Sequence, residues 1–302
     1  MRIGTYLSQA PSVGAAVGQA RATARAGLDS VFFGQVMGWD ALTLATLAGR
    51  EVPGVEVGTA IVPTYPRHPV ALAGQALTAS AAAGGRLTLG VGPSHRPVIE
   101  DTYGLAFDRP VQHTRDYLSI LVPLLRGEPV DYHGPSLSAA GAFTTPGAPP
   151  PPVLLSALGP QMLALAGELA DGTVTVWATA ATIGTDVAPR IRQAAAAAGR
   201  PEPRVAAIIM ATVTGDADRA RQAVAGRVAA ASGLPSYRAL LDRQGLAAVH
   251  DTALAGDEDA VAAGLRAYLD AGATDLLVSI IGDAGDFSRT LGLLAALRRD
   301  TR

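Results

Sequence analysis

Short apolar runs alternate with longer amphipathic stretches along the whole chain. Eight runs rich in Val, Ile and Leu are predicted strands: Arg2–Tyr6, Asp29–Phe33, Glu56–Val62, Arg86–Val91, Val153–Ser156, Gly172–Val176, Val205–Thr214 and Thr274–Ser279. Between them, helical periodicity predicts helices over Ser12–Arg25, Asp40–Gly49, His68–Ala83, Val111–Arg126, Pro160–Ala170, Val187–Ala198, Asp216–Ser232, Ser236–Leu246, Asp257–Ala271 and Asp286–Arg298. The strands lack a polar alternation, which suits a parallel sheet covered on both faces. Eight βα units in succession predict an α/β fold, a (β/α)8 TIM barrel, as one domain over residues 1–302. An open doubly wound sheet is the alternative, but no Gly-x-Gly-x-x-Gly follows the first strand. The rhythm breaks over Pro93–Asp108 and again over 127–152. There Tyr132-His133-Gly134-Pro135 and the run Pro146–Pro152 predict a short hairpin and a semi-rigid connector.

A barrel enzyme keeps its chemistry at the C-terminal ends of its strands. This turns the strand reading into candidate loops: Leu7–Gln9, Gly34–Met37, Pro63–His68, Gly92–Arg96, Ala157–Gly159, Trp177–Thr182 and Ile281–Gly285. The third strand runs into a mouth carrying Thr64, Tyr65, Arg67 and His68, and Pro69 then opens a helix. His68 either meets a substrate or caps that helix. At the end of strand four, Gly90 and Gly92 either admit a ligand to the backbone or serve packing, and Ser94, His95 and Arg96 crowd together behind them. Ser156-Ala157-Leu158-Gly159-Pro160 is an ordinary βα turn or, through the free N–H groups of the helix it starts, an anion site. Thr179 and Thr182 follow the next strand and can add hydroxyl donors there. His113 and Tyr117, one helical turn apart, read as a packing pair.

Composition then removes whole classes of chemistry. The chain has 302 residues and 49% hydrophobic content, enough for a large core. It contains no cysteine and no lysine. Thiol nucleophiles, Fe–S clusters, Schiff-base catalysis and a P-loop lysine are therefore excluded. No histidine pair with a carboxylate has metal-ligand spacing, so no metal is expected. There is no Gly-x-Ser-x-Gly elbow, and the strand ends carry few carboxylates, Glu100, Asp101 and Asp283 being the nearest, which disfavours hydrolases. A net charge of −2 gives no reason to expect nucleic acid or an anionic membrane as partner. No run is long enough to span a bilayer and Met1 leads directly into a strand, so the expectation is a soluble cytoplasmic protein acting on a small molecule.

The ordered set Gly58-Thr59-Ala60-Ile61-Val62-Pro63, Tyr65-Pro66-Arg67-His68-Pro69, Leu89-Gly90-Val91-Gly92, Ser156–Pro160 and Ala170-Asp171-Gly172 resembles the bacterial luciferase-like superfamily. The run from Ser94-His95-Arg96-Pro97 through Tyr103-Gly104-Leu105 to Arg115–Leu118 resembles its F420-dependent branch. The resemblance implies a TIM barrel, commonly a homodimer, that binds the deazaflavin coenzyme F420 or, alternatively, FMN. It implies a bulge with a non-prolyl cis peptide at Ala60–Ile61, Ile61 backing the ring, and Thr59, Gly92 and Ser94 around it. The cofactor phosphate would lie near Ala157, Leu158, Gly159 and Thr179. Several F420-dependent members carry Asp-His at the end of strand two, where this chain has Gly34-Gln35. Gln35 would touch ring or substrate without delivering a proton, leaving His68, His95, Tyr65 or solvent for that role. The implied activity is hydride transfer between F420 and a C=C, C=N or C=O bond, or from an alcohol. An FMN-dependent monooxygenase and a non-catalytic ligand-binding barrel are the alternatives.

Overall fold

The structure, a computed structural model, describes residues 1–35, 37–145 and 147–300. Val36 of the second candidate loop and Pro146 of the Pro-rich run lie outside the described residues. The elements run β1 (Arg2–Leu7), α1 (Val13–Arg25), β2 (Ser30–Phe33), α2 (Ala41–Glu51), β3 (Glu56–Thr59), β4 (Val62–Pro63), α3 (Pro69–Ala82) and β5 (Leu87–Gly92). After a π-helical turn at Val98–Thr102 come α4 (Pro110–Leu125), β6 (Val130–His133), β7 (Ser138–Gly141), β8 (Val153–Ser156), α5 (Pro160–Leu169) and β9 (Gly172–Val176). The single turn α6 (Ala180–Thr182) leads to α7 (Ala188–Ala197), β10 (Arg204–Val213), α8 (Ala217–Val228) and α9 (Pro235–Gln244). The chain closes with β11 (Leu254–Gly256), α10 (Glu258–Asp270), β12 (Asp275–Ile280) and α11 (Ala284–Asp300). Local chemistry sets the helix starts. Ser12, Asp40, Asp216 and Asp257 each accept the N–H three residues on, and Pro69, Pro110, Pro160 and Pro235 open their helices.

Every barrel pairing is parallel: β1 with β2, β2 with β3, β3 and β4 with β5, then β5–β8, β8–β9, β9–β10, β10–β12 and β12 back to β1. This closed ring is a (β/α)8 TIM barrel. Side chains alternate across its wall. Ile3, Val31, Phe33, Val57, Leu89 and Val205 point outward into the core shared with the helices. Phe32, Leu154, Val174, Ala206 and Leu277 fill the inside.

The floor of the barrel is ionic. Arg204 donates to Asp275 at 2.5 Å, to Glu56 at 2.9 Å and to Thr88 at 3.1 Å. Arg2 lies 3.6 Å from both carboxylates. Asp275 is wholly buried. All these groups sit at the N-terminal strand ends, so they plug the barrel and take no part at the mouth.

Four details differ from the sequence reading. The third strand is not continuous over Glu56–Val62: its ladder breaks at Ala60 and Ile61. The helix expected over Asp216–Ser232 ends at Val228 and tightens into a 3-10 turn at Ala229–Gly233. A short strand, β11, pairs with the upper end of β10 beyond the reach of β9. The excursion over Pro93–Asp108 contains the π-helical turn. The expected hairpin is present as β6 paired antiparallel with β7.

Candidate active site at the barrel mouth

The mouth is shaped first by the break in strand three. Between the pairs Gly58–Thr88 and Val62–Val91 one extra residue is inserted, and the Ala60–Ile61 peptide is cis. The hydroxyl of Thr59 replaces the missing rungs. It donates to the Gly90 carbonyl and accepts the Gly90 N–H, both at 2.9 Å. A Cβ on Gly90 would lie 2.1 Å from the Thr59 carbonyl oxygen, so only glycine fits beside the bulge. A Cβ on Gly92 would meet Ser156 at 2.9 Å and Ile61 at 3.4 Å. The glycines of strand four therefore make room for the bulge and for Ile61. Ile61, partly exposed, joins Tyr6 and Ile208 as the upper layer over the barrel interior.

Gln35 lies in the loop just past the end of β2. Its Oε1 is buried and has no hydrogen-bond partner among the described residues. Next to it, Gly34 is pressed against the Tyr6 hydroxyl. Burial, and then the neighbouring Tyr237, push the Tyr6 phenol well above its usual range. A cavity of about 310 Å³ opens between the first two strand-end loops, lined by Leu7, Ala10, Gly34, Met37, Trp39 and Leu44 among others. Met37 and Trp39 are exposed there, and the Trp39 indole donates to the Ala10 carbonyl.

The sequence placed three candidate histidine or tyrosine groups near the lip, and the structure separates them. His68 is exposed, and its Nδ1 accepts the Val70 N–H at 3.3 Å, so it caps α3. Tyr65 is stacked between His113 at 3.8 Å and Phe107 at 4.9 Å, and its hydroxyl donates to the Asp108 carbonyl. Burial pushes its phenol up to about 12. His113, buried, shares a hydrogen bond with Thr64 and packs 5.9 Å from Tyr117, as the packing-pair reading expected. His95 is the one that reaches the mouth. Ser94, in a left-handed backbone conformation (φ 64°), turns the chain there. Nδ1 of His95 lies 3.1 Å from the Ser236 hydroxyl, and its ring meets Tyr237 edge-on at 4.7 Å. Burial lowers its pKa.

Opposite stands Trp177, whose backbone is also left-handed (φ 63°). Its indole meets the Tyr237 ring at 6.4 Å and 86°. Burial pushes the Tyr237 phenol up to about 12, opposed by a hydrogen bond from the Trp177 side chain. One carboxamide fixes this corner: Gln244 donates to the Trp177 carbonyl at 3.0 Å and accepts from the Thr179 N–H at 2.7 Å and the Thr182 hydroxyl at 2.8 Å. The Thr179 N–H is thus committed within the protein. At the neighbouring turn Ala157 is buried, and no side chain caps α5 at Gly159. A Cβ on Gly159 would meet nothing within 4 Å, and the Arg243 guanidinium donates to the Leu158 carbonyl at 2.8 Å. The uncapped helix start and a cation together make a fitting cradle for an anionic cofactor tail.

The sequence reading missed Tyr6, Tyr237, Arg243 and Gln244. The last three lie on α9, over 130 positions from His95, and no local spacing could have joined them. Among the described residues no cluster of three or more His, Asp or Glu is placed to hold a metal, and no helix is long and apolar enough to cross a membrane.

Comparison with known proteins agrees with this geometry. A Mycobacterium tuberculosis protein named as a candidate coenzyme F420-dependent oxidoreductase is 35% identical over 166 residues, covering 50% of this chain and 48% of that protein. A 5,10-methylenetetrahydromethanopterin reductase of Methanolobus tindarius is 27% identical over 213 residues, covering 68% and 63%. The matches thus span between about half and less than two thirds of these relatives' lengths. An F420-dependent secondary alcohol dehydrogenase, solved with an F420-acetone adduct, superposes with a TM-score of 0.84 at 20% identity, over 100% of this chain and 99% of its own. The family model of luciferase-like monooxygenases matches residues 1–275, and to that family, with its closed barrel broken at the third strand, this chain belongs.

Proposed function

We propose that this protein is an F420-dependent oxidoreductase acting on a small organic molecule. The observation that carries the reading is Ile61: the break in strand three, with Gly90 and Gly92 beside it, leaves an apolar, partly exposed side chain packed over the barrel interior, where a planar ring needs a wall. The name of the mycobacterial relative supports F420 over other carriers. When bound, the deazaflavin would accept or give a hydride at C5, with a C=C, C=N or C=O bond or an alcohol as the other partner.

The chain's own residues do the rest. Ile61 and Tyr6 would wall the ring, and Ala157, Leu158, Gly159 and Arg243 would hold the anionic tail. Thr179 would contribute by shaping that turn through Gln244, since its N–H is already taken. Gln35 Oε1 would accept from the substrate or ring the hydrogen bond that it lacks within the protein. His95 is the group at the mouth able to exchange a proton with substrate, because His68 caps a helix and Tyr65 is held in a stack. The cavity by Trp39 would receive the apolar part of the substrate. A homodimer belongs to the same proposal, and sedimentation velocity tests it.

Fluorescence titration with F420, FMN and NADPH tests the reading. F420 is expected to bind, with affinity reduced about tenfold in Ile61→Ala. Absence of F420 binding overturns the proposal. Binding of FMN alone, with oxygen-dependent turnover, favours instead the monooxygenase chemistry in the family's name.

A further inference from the structure

The excursion between β10 and β11 is the largest element with no place in the eight-fold repeat. It carries α8, α9 and two 3-10 turns, with a small apolar core of its own built from Val224, Leu240, Leu241 and Val249 against Trp177, Met210 and Ile281. The polar contacts that join α9 to strand-end residues lie at its two ends. Arg243 and Gln244 hold the turns after β8 and β9. At the other end, Ser236 and Tyr237 meet one residue of the loop after β5, His95.

We infer that Ser236 and Tyr237 are positioning residues for His95, so that α9 decides which ring nitrogen the imidazole presents at the barrel mouth. The inference rests on the proposed role of His95 but concerns different residues. A histidine ring has two freedoms to settle, its rotation and its tautomer, and a hydrogen bond to one nitrogen settles which nitrogen is left for a substrate. The Ser236 hydroxyl and His95 Nδ1 share that bond at 3.1 Å across 141 sequence positions. Tyr237 fixes the ring plane by an edge contact at 65° and is itself held by Trp177. Ser236 lies in the first turn of α9, whose positive end also disfavours a charged imidazolium. Beyond this pair, the charged neighbour of the ring in sequence, Arg96, is turned away to Glu100 and the Phe107 carbonyl. The loop after β5 therefore leaves His95 to be ordered from α9.

Histidine side-chain nitrogen NMR on the cofactor-free protein, with His95 assigned by His95→Gln, tests this without any need for turnover. The wild type is expected to show His95 as one defined tautomer. Ser236→Ala should move its nitrogen shifts toward the averaged values of a free imidazole, and Ser236→Thr should restore them. Unchanged His95 shifts in Ser236→Ala overturn the inference. Where F420-dependent turnover is found, Ser236→Ala should lower kcat about tenfold with F420 affinity intact, and an unaltered kcat also overturns it. Failure of F420 to bind would instead strike the proposed function and leave the NMR result standing.

Discussion

The hydroxyl of Thr59 stands 2.9 Å from both the backbone nitrogen and the carbonyl oxygen of Gly90. One side chain thereby stands in for the two rungs that the bulge removes from the barrel wall. Thr59→Val keeps the shape and removes both bonds, leaving the buried Gly90 N–H without its partner. The expected cost is about 3 kcal/mol, read as a lower urea midpoint. Thr59→Ser, which keeps the hydroxyl, should recover most of it.

Gln35 separates function from stability. Its Oε1 is already buried without a partner among the described residues, so Gln35→Met loses no internal bond there. The variant should unfold within about 0.5 kcal/mol of wild type or above it. Substrate turnover should fall about tenfold, the loss of roughly one hydrogen bond's worth of transition-state contact. Steady-state kinetics beside urea unfolding checks both, and equal losses in the two would refute a role at the mouth.

His113 makes stability depend on pH. Burial holds its pKa down to about 4, with Asp116 opposing, against the ordinary 6.5. Between those values the unfolded chain binds a proton that the folded chain does not. The stabilisation is therefore complete above pH 6.5, is lost as pH falls toward 4, and loses nothing more from this group below that. His113→Phe should flatten the slope of unfolding free energy between pH 6.5 and 4, measured by urea titration at several pH values.

Arg204 reports on the other end of the barrel. It faces wholly buried Asp275 and partly buried Glu56, so Arg204→Met strands a carboxylate in the interior. Its removal should destabilise by about 3–5 kcal/mol. Cofactor affinity at 15 °C should be unchanged, because this network closes the N-terminal floor. Differential scanning calorimetry with fluorescence titration distinguishes the two effects.

The barrel itself was legible in the sequence because strands and helices of this class are local patterns: buried parallel strands need unbroken Val, Ile and Leu runs, and helix starts need caps such as Asp40 and Pro160. Which strand ends carry polar groups follows from that order alone. Tertiary structure decided which of those groups meet. His68, Tyr65 and His95 look alike in sequence, yet one caps a helix, one is sandwiched between rings and one reaches the mouth, since each fate depends on partners brought from distant elements. Likewise Gly90 and Gly92 announce a close approach, but only the folded wall shows that what approaches is the bulge and Ile61 of the neighbouring strand. Spacing along a chain fixes periodicity and turns; contact across a closed sheet depends on register and on the α9 excursion, and neither leaves a local mark.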